Sequence, residues 1–179
     1  MNEYLMKAYA KINLGLDVIG KLENGYHEVK MVMQTVGIYD ELFLEKTEEG
    51  ILLTTDSESL TSGQDNLVWK AARLMKEHYG ISQGLRIHLK KNIPIAAGMA
   101  GGSTDAAAVM KGINRMFDLG CTLKELMELG VAIGADVPYC VMGGTALAEG
   151  IGEKLTALPP APDCYVLVAK PDISVSTKY

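Results

Sequence analysis

Three cysteines are all that 179 residues contain, an odd number with no CxxC spacing. Cys121, Cys140 and Cys164 sit in apolar segments, so a disulfide framework is not indicated and buried free thiols in a reducing compartment are expected. Basic residues are outnumbered: 17 lysines and arginines against 22 acids give a formal charge of −5 and a pI near 5.2. A nucleic-acid surface needs a basic stripe to profit from counterion release, so nucleic acid is not expected as a partner. No apolar run approaches about 18 residues, and the first residues lack the apolar stretch of a signal peptide. A membrane partner is therefore not expected, and the cytoplasm is the predicted location. Repeats and low-complexity linkers are absent too. What remains is an ordinary globular composition, 48% hydrophobic and 22% charged, with length enough for a real core and at most two lobes.

The most informative stretch is PIAAGMAGGSTDAAA, residues 94–108. It follows the alternation of Leu85, Ile87 and Leu89 and runs into an alanine-rich helix, so strand, glycine loop and helix N-terminus come in succession. Gly98, Gly101 and Gly102 accept positive φ and carry no Cβ, which lets backbone N–H groups converge at the positive end of a helix dipole. Phosphate is the expected occupant. Ser103, Thr104 and Asp105 can each cap the helix; they compete, which leaves a side chain for a ligand or a Mg²⁺ shell. Two familiar phosphate loops do not fit. No lysine follows Gly102, as a Walker A loop requires, and the GxGxxG spacing of dinucleotide folds is missing.

Around this loop the pattern predicts a mixed α+β domain. Ala8, Ala10, Ile12, Leu14, Leu16 and Val18 alternate within residues 5–19 as in a half-buried strand, which places Lys11 and Asn13 on the other face. Asn24-Gly25 marks a tight turn. Tyr26 and His27 follow it directly, and an aromatic face beside an imidazole is able to stack a nucleobase and hydrogen-bond its edge. Strand-like runs at 27–38, 41–46 and 51–55 point to an antiparallel sheet. Leu67, Val68, Ala71, Ala72, Met75 and Tyr79 recur at helical spacing, with Asp65 or Asn66 as cap and Gly80 as stop. A second helix is expected over 104–117. A third opens at the capping box Thr122-Leu123-Lys124-Glu125 and stops near 130–134. Asp136, in GADVPYC, reads as a cap or, if buried, as an acid that needs a cation, for which Lys11 is the attractive partner. A hairpin over 146–149 and 154–158, a buried strand over 164–169 and a helix start at Ser176 or Thr177 complete the reading.

The glycine stretch resembles the central motif of the GHMP kinases, P-x-x-x-G-L-x-S-S-A-A, with Met99 in place of the leucine and Gly102-Ser103-Thr104-Asp105-Ala106 in place of the serine-pair region. AKINLGL followed by GKLENGYHE, DNL at 65–67 and GADVPYC extend the likeness along the chain. The resemblance implies the GHMP-kinase N-terminal fold, ribosomal-protein-like with a left-handed βαβ element and an antiparallel sheet packed with helices. It further implies an ATP-dependent small-molecule kinase using Mg²⁺, of the branch whose alcohol acceptor is a cytidine diphosphate-linked methylerythritol. By resemblance Pro94, Ile95, Ala96, Ala97, Gly98, Met99, Ala100, Gly101, Gly102, Ser103 and Thr104 hold the nucleotide phosphates, and Asn66 and Leu67 lie beside the adenine. Lys11 and Asp136 become the catalytic pair, Asn13 and Thr177 substrate contacts, and Tyr26 and His27 the cytosine site. Residues 1–160 then form the ATP-binding domain, and 161–179 open a C-terminal domain that is cut short, since family members run longer. A mevalonate- or homoserine-type kinase, or a non-catalytic nucleotide-binding fragment, is the alternative.

Overall fold

The computed structural model describes residues 3–23, 25 and 27–170. Its longest elements are two strands. β1 (Glu3–Lys21) runs antiparallel to β2 (His27–Thr47) along its whole length, from Glu3 opposite Glu45 to Lys21 opposite His27. Gly25, at φ 85° and with its N–H donated to the Leu22 carbonyl, makes the turn between them. After β3 (Ile51–Thr55) come α1 (Leu67–His78), β4 (Gly84–Lys90), α2 (Gly101–Met116), α3 (Leu123–Gly130), α4 (Val137–Met142), β5 (Thr145–Glu149) and β6 (Lys154–Ala157).

β1 occupies one edge of β2 throughout, and the other edge is shared. Glu41–Thr47 of β2 pair with β4, while Met31–Gln34 pair with β5. The sheet therefore forks at residues 35–40. β6 extends the β5 branch, and β3 extends the β4 branch in parallel register, Ile51 beside Leu85. That parallel pair corrects the expectation of a wholly antiparallel sheet. α1 carries the chain from one end of β3 to the start of β4, and such a crossover delivers a parallel partner.

One face of the sheet is covered by the helices. Leu42, Leu44, Leu85, Ile87 and Leu89 meet Ala106, Ala107, Val109, Met110 and Ile113 of α2, with Val68, Ala71, Ala72 and Met75 of α1 completing the core. At roughly 1.5–3 kcal/mol for each large side chain buried, this layer dominates the stability. Gly112 sets its thickness: a Cβ there would stand 2.8 Å from Leu44 Cδ2 and 3.1 Å from Met6 Cγ. α3 starts at the expected capping box, with Thr122 Oγ1 accepting from the Glu125 N–H and Glu125 from the Thr122 N–H.

Three expectations fail. The strand runs at 27–38 and 41–46 are one strand, because Asp40 is fully buried inside β2 and does not break it. Residues 164–169 form no regular element, and Tyr165 and Leu167 are almost fully exposed; their apolar character marks a segment that needs cover, not one that has it. Cys164 is exposed and Cys121 and Cys140 are half-buried, all three as free thiols. Among the described residues no helix is long and apolar enough to cross a membrane.

Candidate active site

The loop of residues 94–100 and the first turn of α2 form one wall of a cavity of about 480 Å³. Pro94 through Ser103 all line it, and Asn66 and Leu67 at the start of α1 face them. Thr104 does not line it; its hydroxyl donates to the Tyr9 carbonyl at 2.7 Å and anchors α2 to β1. The backbone differs from expectation. Gly98 has φ 70°, but the other left-handed residues here are Ala96 and Ala100, at 55° and 56°, while Gly101 and Gly102 lie in the helix. Those two glycines serve close approach. A Cβ on Gly101 would meet Lys91 Nζ at 3.2 Å, and one on Gly102 would meet Leu67 Cδ1 at 3.3 Å.

None of Ser103, Thr104 and Asp105 caps α2. The helix begins one turn earlier than expected, its N-cap is Ala100, and no side chain accepts from its first N–H groups. An uncapped 16-residue helix whose first turn lines a cavity, preceded by left-handed residues at 96, 98 and 100, is the kind of arrangement in which backbone amides bind anions. Asn66, in contrast, is a working cap: its Oδ1 accepts from the Val68 N–H at 2.9 Å and its Nδ2 donates to the Thr61 carbonyl.

Lys11 reaches the site by a defect in β1. The register slips between Tyr9 and Lys11, so Ala10 and Lys11 are both buried, and the alternation that assigned Lys11 to the opposite face is broken there. A bulge re-aims a side chain in this way. Its freed backbone N–H donates to the Met99 carbonyl at 3.1 Å, which ties the catalytic candidate to the phosphate loop. The ammonium lies 3.6 Å from Asp136 Oδ2 and donates to Asn13 Oδ1 at 3.3 Å. Asp136 occupies the N-cap position of α4 yet makes no capping bond, so its carboxylate, about a third exposed, is left to Lys11; neither residue lines the cavity itself.

A hydrogen-bonded ring fixes α4. Tyr139 Oη donates to the Gly144 carbonyl and lies 3.1 Å from Thr35 Oγ1, which accepts from the Gly144 N–H. Burial pushes the Tyr139 hydroxyl up to about 12, so it stays protonated as the donor.

Beneath the loop lies a cluster that sequence reasoning missed. Lys91 Nζ bridges Asp40 and Asp105, at 2.8 Å from the latter, and all three side chains are buried. Burial first, with the Asp40 charge adding, pushes the Asp105 carboxyl up to about 8 against the pull of Lys91. One proton is thus retained at neutral pH and the cluster is close to neutral. The available signal was Asp40 itself, an acid inside an apolar strand run that has to find a cation.

The cytosine candidates are separated from this centre. His27 is exposed and stands at the start of β2, eight residues from Thr35, the partner of Lys11, or roughly 26 Å along an extended strand. Two further bulges in β1, at Asn13/Gly15 and Val18/Gly20, bend the arm between them. Tyr26 and Thr177 lie outside the described residues.

Comparison with known proteins matches residues 66–144 to the GHMP kinases N terminal domain. The chain carries a GHMP kinase N-terminal domain. That span runs from the cap of α1 through the phosphate loop to the end of α4. The chain is 58% identical over 179 residues to the 4-diphosphocytidyl-2-C-methyl-D-erythritol kinase of Lachnospira eligens, covering 99% of this chain and 62% of the relative. It is 50% identical to the same-named protein of Acetivibrio thermocellus, covering 100% and 63%. A crystal structure of 4-(cytidine 5'-diphospho)-2C-methyl-D-erythritol kinase superposes with a TM-score of 0.76 at 36% identity, over 87% of this chain and 55% of that one. Homoserine kinase from Cytophaga hutchinsonii, at 21% identity and a TM-score of 0.73 over 89% and 52%, shares the fold. The chain spans about three fifths of the length of the curated relatives it matches.

Proposed function

We propose that this chain is the ATP-binding part of a kinase that phosphorylates the 2-hydroxyl of 4-diphosphocytidyl-2-C-methyl-D-erythritol, a step of non-mevalonate isoprenoid precursor synthesis. One observation carries the reading: the uncapped N-terminus of α2 and the Lys11–Asp136 pair are joined by a single backbone bond, Lys11 N–H to Met99 carbonyl. A donor phosphate held on the helix would lie beside a carboxylate and an ammonium, the groups that phosphoryl transfer to an alcohol needs.

The residues then divide the work. Backbone N–H groups of 98–103 hold the phosphates, and Asn66 and Leu67 frame the far side of the cavity where the adenine would lie. Asp136 takes the hydroxyl proton; Lys11, 3.6 Å away, orients the carboxylate and stabilises charge on the transferring group. Asn13 steadies Lys11 and contacts the acceptor, while Tyr26, His27 and Thr177 hold the remainder of it. Among the described residues no group of three or more His, Cys, Asp or Glu is placed to hold a metal. Mg²⁺ is usually bound by substrate phosphates and waters with one or two protein oxygens, so such a group is not required for it. Bound there, it would neutralise phosphate charge. Residues 161–179 would open the second domain, a role supported by the uncovered Tyr165 and Leu167. A soluble cytoplasmic enzyme with a small-molecule substrate follows from this assignment.

The test is turnover by a full-length protein carrying this chain, followed by ³¹P NMR with ATP, Mg²⁺ and the cytidine substrate. Phosphorylation of that alcohol in preference to mevalonate or homoserine is expected. ATP binding without transfer to any of the three would leave a nucleotide-binding module and overturn the proposal.

A further inference from the structure

Both ends of the phosphate loop converge on one buried ammonium. At the entry, where β4 leaves the sheet, Asp56 Oδ1 accepts from the Lys91 N–H at 2.9 Å, and Asp40 Oδ1 accepts from the N–H groups of Asn92 and Ile93, the latter at 2.8 Å. Asn92 Nδ2 adds a bond to the Tyr39 carbonyl. At the exit, Lys91 Nζ donates to Asp105 in the second turn of α2 and packs against the bare backbone of Gly101. The other carboxylate oxygen of Asp40 accepts from the same ammonium. Residues 94–100 therefore form a loop whose stem is closed by an Asp–Lys–Asp bridge, with the side chains of Asp40, Lys91 and Asp105 all 8% exposed or less.

Burying three ionisable groups is costly, and hydrophobic side chains of like volume would often serve stability as well. A different return is visible in the loop. Ala96 and Ala100 are held in the left-handed region, which a residue with a Cβ adopts only when its surroundings over-determine it. Within the loop itself little does so, since Pro94, Ile95, Ala96 and Gly98 all face open cavity. Met99, buried and accepting from the Lys11 N–H, pins one point of the loop, and the rest of the constraint comes from the stem.

We propose that Asp40, Lys91 and Asp105 are positioning residues that hold loop 94–100 in its anion-binding conformation before nucleotide arrives. This rests on the reading of the cavity as a nucleotide site. The bridge sets how tightly the phosphates are held and leaves the chemical step at Lys11 and Asp136 untouched.

The experiment uses a full-length protein carrying this chain. Lys91→Met alone strands two carboxylates and risks misfolding, so it is accompanied by the triple variant Asp40→Asn, Lys91→Met, Asp105→Asn. The triple variant is neutral and keeps an acceptor oxygen for Asn92 and Ile93. In the folded triple variant without nucleotide, amides of 94–100 should exchange at least tenfold faster while those of α1 and β4 do not change. The KM for ATP should rise at least tenfold, with kcat at saturating ATP within about threefold and the KM for the alcohol unmoved. Weakened ATP with unchanged loop exchange would mean that Lys91 touches phosphate directly, and would overturn the proposal. So would a fall in kcat and a rise in both KM values together. Because the exchange arm needs neither substrate, a wild-type protein that failed to phosphorylate the alcohol would sink the functional reading without deciding this one.

Discussion

The phosphate loop and the β-arm are the two most strongly marked stretches of this chain, and they are held in opposite ways. The loop is closed by buried charge at its stem, docked through Met99 onto β1 and backed by α1 and α2. The arm, residues 17–21 of β1 with 27–30 of β2, runs beyond the pairing with β5, and Leu14, Leu16, Val18 and Ile19 leading along it are all about half exposed. A pre-set loop binds without first paying to be ordered, whereas a bare two-stranded arm is marginal by itself. On the proposed function, the nucleotide end of the site rests on the pre-set loop and the acceptor end on the bare arm.

The sharpest way to break this division is at its border. Asp136→Asn keeps size and hydrogen bonding but cannot take a proton, and in a full-length protein kcat should fall by roughly 10²-fold or more, with both substrates bound within about tenfold of wild type. Lys11→Met should do the same, and the double variant should be little worse than either alone. Steady-state kinetics with both substrates varied decides it; a normal kcat in a destabilised Asp136→Asn would make the aspartate structural.

The loop side is tested next through Asp105. Folded, this group holds its proton until about pH 8; unfolded, it releases it near pH 4. Between these values the folded state binds the extra proton, so the stability the group contributes is complete below about pH 4 and is lost as pH rises toward 8. Asp105→Asn lacks that dependence. Its melting temperature relative to wild type should climb from pH 5 to 8 and level off above, and parallel melting curves would show that the carboxyl is not perturbed.

On the arm, Tyr26→Ala should weaken the cytidine substrate by about 1–3 kcal/mol, the scale of one base–aromatic stack, while ATP hardly changes. Equal losses for both, measured by titration, would mean the two regions are not independent. The smallest effect is expected at Ala100. Glycine there relieves left-handed strain, so Ala100→Gly should stabilise by up to about 1 kcal/mol or be neutral in thermal melts. A loss of several degrees would show that the Ala100 methyl has a packing role.

Three of the four helices, α1 to α3, and the loop were readable from the sequence because their signals are local, whereas the short α4 was not. Thr122 and Glu125, Asn66 and the α1 stripe each declare themselves within a turn. The pairing of Lys11 with Asp136 was also foreseeable, from the rule that an acid in apolar company needs a cation. What escaped was non-local. The bulge at Ala10 answers to the docking of Met99 and Thr104, far along the chain, and a period-two pattern has no means of announcing a skipped residue. Asp40 was read as a break because local rules treat a strand acid as a turn, and its partner Lys91 is 51 residues away. The 164–169 segment reads as a strand, but composition supplies no edge for it to join.

The fork in β2 makes that strand a ruler. Thr35, at one end of the window, holds the ring that fixes α4 and with it Asp136; Asp40, at the other, holds the stem of the phosphate loop. Five residues of extended backbone, roughly 17 Å, set the spacing between the anchor of α4 and the anchor of the loop. A strand cannot stretch, and removing one residue also turns every later side chain to the opposite face. Substitutions within 36–39 should therefore be tolerated far better than any change in the length of that segment, which acts as the gauge block of the whole site.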